Sequence, residues 1–298
     1  MRPTLADLLL VLVALMWGTN FSVIKVALAE FPPLTFNALR LVLSIGTMVL
    51  IARVMGHSLA FGRADWGWIA RLGLLGHTFY QALFIWGADG TTAGNSALLL
   101  ATPPVFIALI GRVLGYERIA ALGWLGIGLS LGGIVAILLG GDQRTELEFG
   151  GATMRGDLLM FLATLNWSAF TVALRPAVRR HGPVKVTVLS TTFGTLPFLA
   201  LSAPAIAGTD FGAISRNAWL ITALSSLIGI SLPYFLWNYG VSKLGSARTS
   251  LYSYLTPPVA LVVAWIWLGE RMSLQQAAGG LLVLVGVVLA RRNVTTAD

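Results

Sequence analysis

The chain has 298 residues, of which 56% are hydrophobic and only 11% charged, and its mean hydropathy is +0.81. A soluble domain carries about 25% charged residues, so this composition excludes an ordinary water-soluble protein and predicts helices that cross a membrane. The net charge of +8 does not indicate a nucleic-acid partner, because the basic residues follow the predicted membrane topology.

Ten apolar stretches follow one another along the chain with short connections, and each has about the length of a bilayer-spanning helix. They are, as spans one to ten, residues 5–28, 34–54, 66–87, 93–114, 120–140, 157–177, 185–207, 217–238, 247–267 and 274–291. The predicted fold class is therefore an all-α, polytopic membrane protein. We expect the first span to stay attached as an anchor, because no cleavage site follows it.

Lysine and arginine predict the orientation of these spans. With the N-terminus in the cytoplasm, the only basic loop residues that face outward are Arg144, Arg155, Arg216 and Arg271. This bias follows the positive-inside rule and places both termini in the cytoplasm. Lys25 and Arg40 lie within spans toward their outer ends, where snorkelling to the interface is favoured over ligand contact.

The second half of the sequence repeats features of the first. Aligning the halves places Trp17 on Trp167, and Gly126 on Gly279. Each half holds five spans, an odd number, so the second copy enters the membrane from the opposite side. The predicted domains are residues 1–141, a first five-helix repeat; 142–156, an outer linker; and 157–298, a second, inverted five-helix repeat facing the first across a central cavity.

The order of these motifs resembles the EamA branch of the drug/metabolite transporter superfamily. The resemblance covers nearly the whole chain and includes a Trp in spans one and six, paired prolines in spans four and nine, "LGER" (268–271) and Gly-rich closing spans. Within that branch the chain is similar to the YddG-type exporters of aromatic and other neutral amino acids. The resemblance implies a cavity lined by spans one, three, four, six, eight and nine. The first half departs from the pattern by inserting Tyr116, which leaves the role of Glu117 open.

Paired prolines interrupt spans four and nine, in "ATPPV" (101–105) and "LTPPV" (255–259). Proline in a helix interior costs about 3 kcal/mol, and loose backbone groups at membrane depth are tolerated only beside protein or a wet cavity. We interpret the pairs as breaks at a binding site, with the threonines as N-caps and freed carbonyls facing the cavity; the alternative is a simple packing kink. The predicted break and gating residues are Thr102, Pro103, Pro104, Thr256, Pro257 and Pro258.

Polar and aromatic side chains at membrane depth are expected to face the interior of the bundle. The predicted substrate-binding residues are Trp17, Asn20, His77, Tyr80, Gln81, Phe84, Asn95, Trp167, Tyr234, Asn238, Tyr252 and Ser253. For the aromatic residues the alternative is core packing, for His77 a neutral imidazole satisfied within the bundle, and for Asn20 and Asn238 a bond between helices. The Gly-rich spans five and ten are predicted to pack closely as scaffold.

This lining suits a small uncharged or zwitterionic solute, and the resemblance indicates neutral amino acids. No Asp or Glu lies in the middle of a span, which predicts export by alternating access without obligatory ion coupling. The alternatives are export of other metabolites or drugs, or exchange of organic phosphates or nucleotide sugars, which would need a more basic cavity.

A membrane-embedded enzyme is less well supported. It would require a nucleophile with a base, paired carboxylates or a metal cluster. The chain has no cysteine, and His57, His77 and His181 are too scattered for a metal-ligand pattern, so we expect neither a metal nor a cofactor. The expected partners are the solute and the lipid bilayer, with no nucleic acid, and a monomer is the working assumption.

Overall fold

The computed structural model describes residues 4–62, 65–90, 99–139, 154–268 and 273–296, and this part of the chain is all-α apart from one two-stranded sheet. Five of its helices are long and apolar enough to cross a membrane: Pro33–Val54, Met154–His181, Pro183–Ala207, Arg216–Leu244 and Leu274–Asn293. Shorter apolar helices cover Leu5–Asn20, Pro103–Val113 and Ala121–Ile137.

The helices are α1 (Leu5–Ala27), α2 (Pro33–Val54), α3 (Trp66–Gly73), α4 (Tyr80–Asp89), α5 (Pro103–Val113), α6 (Ala121–Leu139), α7 (Met154–His181), α8 (Pro183–Ala207), α9 (Arg216–Ser226), α10 (Leu232–Leu244), α11 (Ser246–Ser250), α12 (Thr256–Leu268) and α13 (Leu274–Asn293). Strands β1 (Glu117–Ile119) and β2 (Val294–Thr296) pair antiparallel.

Local sequence signals set several helix ends. Thr4 and Asp7 form a capping box at the start of α1, and Ser273 and Gln276 form another at the start of α13. Each box satisfies backbone N–H groups that have no partner within the helix. Pro33 begins α2, where its missing N–H costs nothing.

Two spans predicted as continuous α-helices contain a π-helical segment. The first π segment, Leu74–Phe79, joins α3 to α4, and the second, Leu227–Ser231, joins α9 to α10. Spans three and eight occupy matching positions in the two halves of the sequence. A π turn closes its hydrogen bonds over five residues instead of four and is frequent at functional sites.

The Gly-rich helices α6 and α13 lie antiparallel in close contact, as the sequence predicts. A Cβ on Gly126 would lie 2.7 Å from the Gly286 carbonyl oxygen, and one on Gly133 would lie 2.6 Å from that of Gly279. Missing side chains therefore let the two backbones touch, which is how small residues bring membrane helices together. Strands β1 and β2 join at one end of this pair.

Contacts between the halves occur in matched pairs. Helix α4 packs on α7, and its counterpart α10 packs on α1; α5 also packs on α7, and its counterpart α12 on α1. Helix α2 packs on α8. Each half thus completes the surroundings of the other half's first helix.

We expect Gly133→Val to destabilise the protein by about 1–3 kcal/mol, because the new side chain would overlap the Gly279 backbone. Gly128→Val is the matched control, since Gly128 lies on the same helix and an added Cβ would meet no atom within 4 Å. The measurement is the fraction of monodisperse protein that survives heating in detergent. Equal losses in the two variants would contradict the close helix contact.

Candidate functional site

Aromatic side chains from both halves meet in the interior. The Trp167 ring lies 5.0 Å from Tyr80, 6.0 Å from Tyr234 and 6.2 Å from Trp237, between ring centroids. Trp17 lies 5.2 Å from Trp237. The predicted aromatic residues of spans one, three, six and eight therefore lie together.

His77 and two phenylalanines extend this group. The imidazole centroid lies 5.4 Å from the rings of both Phe170 and Tyr234, and Phe84 stacks on Tyr80 at 6.0 Å. We define the aromatic cluster as Trp17, His77, Tyr80, Phe84, Trp167, Phe170, Tyr234 and Trp237. The sequence gave no reason to single out Phe170, whereas Trp237 shares a span with the predicted Tyr234 and Asn238.

The aromatic cluster has a closed side and an accessible side. His77 and Trp237 are 1% and 2% exposed, whereas Trp17, Tyr80 and Phe84, together with Trp167, are only half-buried. The half-buried rings therefore offer an apolar and polarisable surface that a small molecule can contact.

The π segments shape the aromatic cluster. In the second one, the Gly229 carbonyl oxygen accepts a hydrogen bond of 3.1 Å from the Trp17 indole Nε1. A Cβ on Gly229 would lie 2.6 Å from the Asn20 amide, and one on Gly76, in the first segment, would lie 2.5 Å from the Phe170 ring. Glycine is therefore required where each π turn approaches a side chain of the site.

Amide side chains border the aromatic cluster. The Asn37 Nδ2 group donates to Gln81 Oε1 at 2.8 Å, and the Asn20 Oδ1 atom accepts from Ser225 Oγ at 2.7 Å. Two polar atoms nearby are buried and have no hydrogen-bond partner among the described residues: His77 Nδ1 and Asn166 Oδ1. The other ring nitrogen of His77, Nε2, lies 3.5 Å from Ser190 Oγ and 3.4 Å from Thr191 Oγ1, so the bundle satisfies this imidazole in part.

Arg40 corrects the expectation of a snorkelling side chain. It is 8% exposed, and its guanidinium carbon lies 5.1 Å from the centre of the Phe36 ring. Its Nη2 atom lies 2.6 Å from the place of a Cβ on Gly229, so the charge points inward. The border of the aromatic cluster is therefore not uncharged. The Lys25 side chain falls outside the described residues.

Three predicted site residues use their polar groups within the protein. Asn238 Nδ2 donates to Thr187 Oγ1 at 2.6 Å, the Tyr252 hydroxyl donates to Asp7 Oδ1 at 2.6 Å, and Ser253 Oγ donates to the Ser250 carbonyl at 2.7 Å. Asn238 thus makes a hydrogen bond between helices, which is the role that the sequence offered as the alternative to substrate binding. Asn95 lies outside the described residues.

Both proline pairs begin a helix after an interruption, but the threonines do not cap. At span four, α5 begins at Pro103, and Thr102 Oγ1 donates back to the Leu99 carbonyl at 2.7 Å. At span nine, a 3₁₀ segment (Leu251–Leu255) precedes α12, and Thr256 is already its first residue. The carbonyls of Leu99 and Ser253 accept hydrogen bonds from the backbone N–H groups of these threonines. The prediction that the breaks free their carbonyls is therefore wrong for these two groups.

The interruptions face protein. Ser168 Oγ on α7 donates to the Pro103 carbonyl at 3.3 Å. At the equivalent place on α1, a Cβ on Gly18 would lie 2.5 Å from the Val259 side chain. Pro104 and Thr256 are buried, and Pro257 and Pro258 are half-buried. Each break therefore packs on the first helix of the other half.

Ion pairs close the end of the bundle that carries the N-terminus. Asp7 is 3% exposed and accepts from Arg291 at 2.6 Å and Arg248 at 3.1 Å. Glu117 accepts from the Ala247 backbone N–H at 2.8 Å. Burial raises the pKa of Glu117, and the Ala247 N–H and the Arg175 charge oppose that rise. The sequence left the role of Glu117 open. In the structure its carboxylate binds a backbone N–H at the start of α11.

The fold defines an apolar helical bundle whose interior holds an aromatic cluster with side chains from both halves of the sequence. The EamA-like transporter family matches residues 4–139 and 154–292, and the chain belongs to this family. It is accordingly an integral membrane protein and a transporter rather than an enzyme.

Known proteins are similar to this chain over nearly its full length. The chain is 29% identical over 272 residues to the "Uncharacterized transporter YdfC" of Bacillus subtilis, covering 91% of this chain and 86% of that one. It is 28% identical over 284 residues to the "Probable terminal-alkyne amino-acid exporter" of Streptantibioticus cattleyicolor, covering 95% and 92%. A solved crystal structure at 20% identity superposes with a TM-score of 0.81 over 96% of each chain, which supports the fold.

We expect Asp7→Asn to lower the free energy of unfolding by about 3 kcal/mol, because Arg248 and Arg291 would lose their shared buried counter-ion. Asp65→Asn is the control: its partners are Arg180 at 3.5 Å, which is 71% exposed, and His181 at 3.6 Å, and both contacts are long, so the loss should stay below about 1 kcal/mol. Thermal unfolding in detergent measures both. If the two variants lose the same stability, Asp7 does not hold this end together.

Proposed function

We propose that this protein exports small neutral solutes, with aromatic and other neutral amino acids as the favoured class. The observation that carries the proposal is the aromatic cluster, whose half-buried rings face helices from both halves and are bordered by Asn20, Gln81 and Asn37. Such a surface binds an apolar side chain by ring contact and a polar head by hydrogen bonds. The relative from Streptantibioticus cattleyicolor named as an amino-acid exporter supports the same class.

We propose an architecture of ten spans in two inverted five-helix repeats, residues 1–141 and 157–298, with an outer linker between them and both termini in the cytoplasm of a bacterial plasma membrane. Matched contacts support it. Gly126 aligns with Gly279 and Gly133 aligns with Gly286, so the Gly126–Gly286 contact and the Gly133–Gly279 contact are equivalent when the two halves are exchanged. The π segments at Leu74–Phe79 and Leu227–Ser231 obey the same exchange. Inverted repeats of this kind place the binding site at their interface.

The proposed binding residues are those that the structure brings together. They are Trp17, Asn20, His77, Tyr80, Gln81, Phe84, Trp167 and Tyr234, to which Asn95 is added on sequence grounds alone. The unpaired His77 Nδ1 and Asn166 Oδ1 atoms supply polar contacts that the protein itself does not use. An unpaired buried polar atom costs free energy, which a bound solute can recover.

Alternating access needs joints in the helices that surround the solute. The two π segments lie beside the aromatic cluster, and the proline pairs Pro103–Pro104 and Pro257–Pro258 lie where α5 and α12 begin against α7 and α1. All four interrupt regular helix bonding. Short stretches of 3₁₀ or π geometry often mark hinges. The Asp7 ion pairs would hold the N-terminal end shut while the other end opens.

Amino-acid export is favoured over exchange of organic phosphates. Among the described residues, Arg40 is the one basic side chain found at the border of the aromatic cluster. A phosphate group carries more negative charge than one buried cation balances, and phosphate sites usually combine several donors.

Counterflow in proteoliposomes tests the function. Vesicles loaded with unlabelled phenylalanine should accumulate labelled phenylalanine in the absence of any ion gradient, because no carboxylate in the middle of a span is available for coupling. Nucleotide sugars and phosphate esters should give no exchange.

Two results would reject parts of this proposal. Exchange of phosphate esters without exchange of amino acids would reject the substrate class. A strict requirement for an imposed proton or sodium gradient would reject uncoupled export while leaving the substrate class intact. Empty vesicles and vesicles with Asp7→Asn protein serve as controls for leak and for loss of the closed end.

We expect Trp167→Leu to change selectivity, reducing phenylalanine exchange at least several-fold more than alanine exchange, because Trp167 contacts four other rings of the aromatic cluster. Trp265→Leu is the control, since Trp265 is 50% exposed on the outer surface. Half-saturation concentrations for both solutes provide the measurement. An unchanged ratio between the two solutes would assign Trp167 to packing alone.

A further inference from the structure

Arg40 is a buried cation without a counter-ion. It is 8% exposed, and none of the ion pairs within the described residues includes it. Removing a charge from water costs several kcal/mol unless a partner compensates it. A lipid-facing arginine would instead extend toward the interface, which its inward-pointing guanidinium does not do.

The hydrogen bonding of Arg40 is incomplete. A guanidinium has five N–H donors, and the described residues offer one acceptor, Asn37 Oδ1, at a long 3.4 Å from Nη1. The Nε atom is buried with no partner. The Phe36 ring, 5.1 Å from the guanidinium carbon, adds a weak attraction. Most of the guanidinium donors are therefore left without an acceptor by the described residues.

The open donors of Arg40 lie beside the aromatic cluster. The Nη2 atom approaches Gly229, whose carbonyl oxygen accepts a hydrogen bond from the Trp17 indole. Asn37, which contacts Arg40, also bonds Gln81. A molecule resting on the half-buried Trp17 ring would thus have one end next to the guanidinium.

We infer that Arg40 binds the carboxylate of the transported solute. The planar guanidinium matches a carboxylate in a two-bond fork, and such charge-assisted pairs are about twice as strong as neutral hydrogen bonds. The solute class is therefore a monocarboxylate with an apolar or aromatic side chain, neutral amino acids included. This inference rests on the proposed function, because it places the ligand in the same site.

The helix interruptions do not offer an equivalent carboxylate site. The helix starts at Thr102 and Thr256 are the other places where backbone N–H groups could receive a carboxylate, but the Val105 N–H at the first of these donates to the Thr102 carbonyl. Neither break carries a charged side chain in contact with it among the described residues. Arg40 supplies a full positive charge instead of a partial one.

The test compares a carboxylate with its amide. Transport of phenylalanine and of phenylalaninamide, which keeps the ring and the ammonium, is measured in proteoliposomes for the wild type, Arg40→Gln and Arg40→Lys. Arg40→Gln should raise the half-saturation concentration for phenylalanine at least tenfold and change that for phenylalaninamide less than threefold. Arg40→Lys should fall between, because it keeps the charge and loses the fork.

Arg53→Gln is the matched control, since Arg53 lies on the same helix but is exposed at its end. It should leave both half-saturation concentrations unchanged. If Arg40→Gln weakens acid and amide equally, the role of Arg40 is structural and the inference is overturned. If Arg40→Gln does not fold, the Arg40→Lys ratio of acid to amide decides: an unchanged ratio overturns the inference.

The inference and the proposed function fail differently. If the wild type moves no amino acid, the proposed substrate class falls, and thermal stabilisation by phenylpyruvate and phenylacetate then tests Arg40 directly. Stabilisation of the wild type that is lost in the Arg40 variants supports the carboxylate site. No stabilisation of the wild type by either acid overturns it.

Discussion

A backbone carbonyl or amide inside a lipid bilayer must be paired by the protein or by enclosed water, because acyl chains offer neither donors nor acceptors. Three places of irregular backbone among the described residues illustrate that constraint. The Gly229 carbonyl, in a π turn, accepts a hydrogen bond from the Trp17 indole. The Pro103 carbonyl, at a helix start, accepts one from Ser168 Oγ, and the Leu99 carbonyl accepts one from Thr102 Oγ1. These segments therefore pack on protein, and the two π segments do so beside the aromatic cluster.

Much of the fold follows from composition and repetition. Long apolar stretches predict the helices, and glycines at matching positions predict the close approach of α6 to α13, which Gly126 and Gly133 make by direct backbone contact. Proline pairs mark the interruptions at 103–104 and 257–258. The π segments could not be predicted. Gly76 and Gly229 indicate that the backbone approaches a side chain at these positions, but a glycine does not indicate that the helix changes from α to π geometry.

The site is harder to predict than the fold, because depth in a span does not give direction. Trp17, Tyr80 and Trp167 do meet, as their positions suggest. Tyr252 was predicted to bind substrate for the same reason, but its hydroxyl donates a hydrogen bond to Asp7 instead. Arg40 looks like a snorkelling residue from its place near a span end, and only the glycine opposite it, Gly229, makes room for an inward charge.

Access of water to the aromatic cluster is the central claim, and the absence of native cysteine allows a direct measurement. A single cysteine replaces the half-buried Phe84, and its reaction with a charged, membrane-impermeant thiol reagent is followed in proteoliposomes with and without phenylalanine. Cysteines at Met48, which is 0% exposed, and at Leu284, which is 49% exposed on the outer surface of α13, serve as controls.

The account predicts that Phe84→Cys reacts, that phenylalanine slows the reaction, and that both control cysteines stay unmodified, one within protein and one within lipid. A thiol at position 84 that stays as unreactive as the one at position 48 would mean that no aqueous path reaches the rings, and would contradict transport through this site.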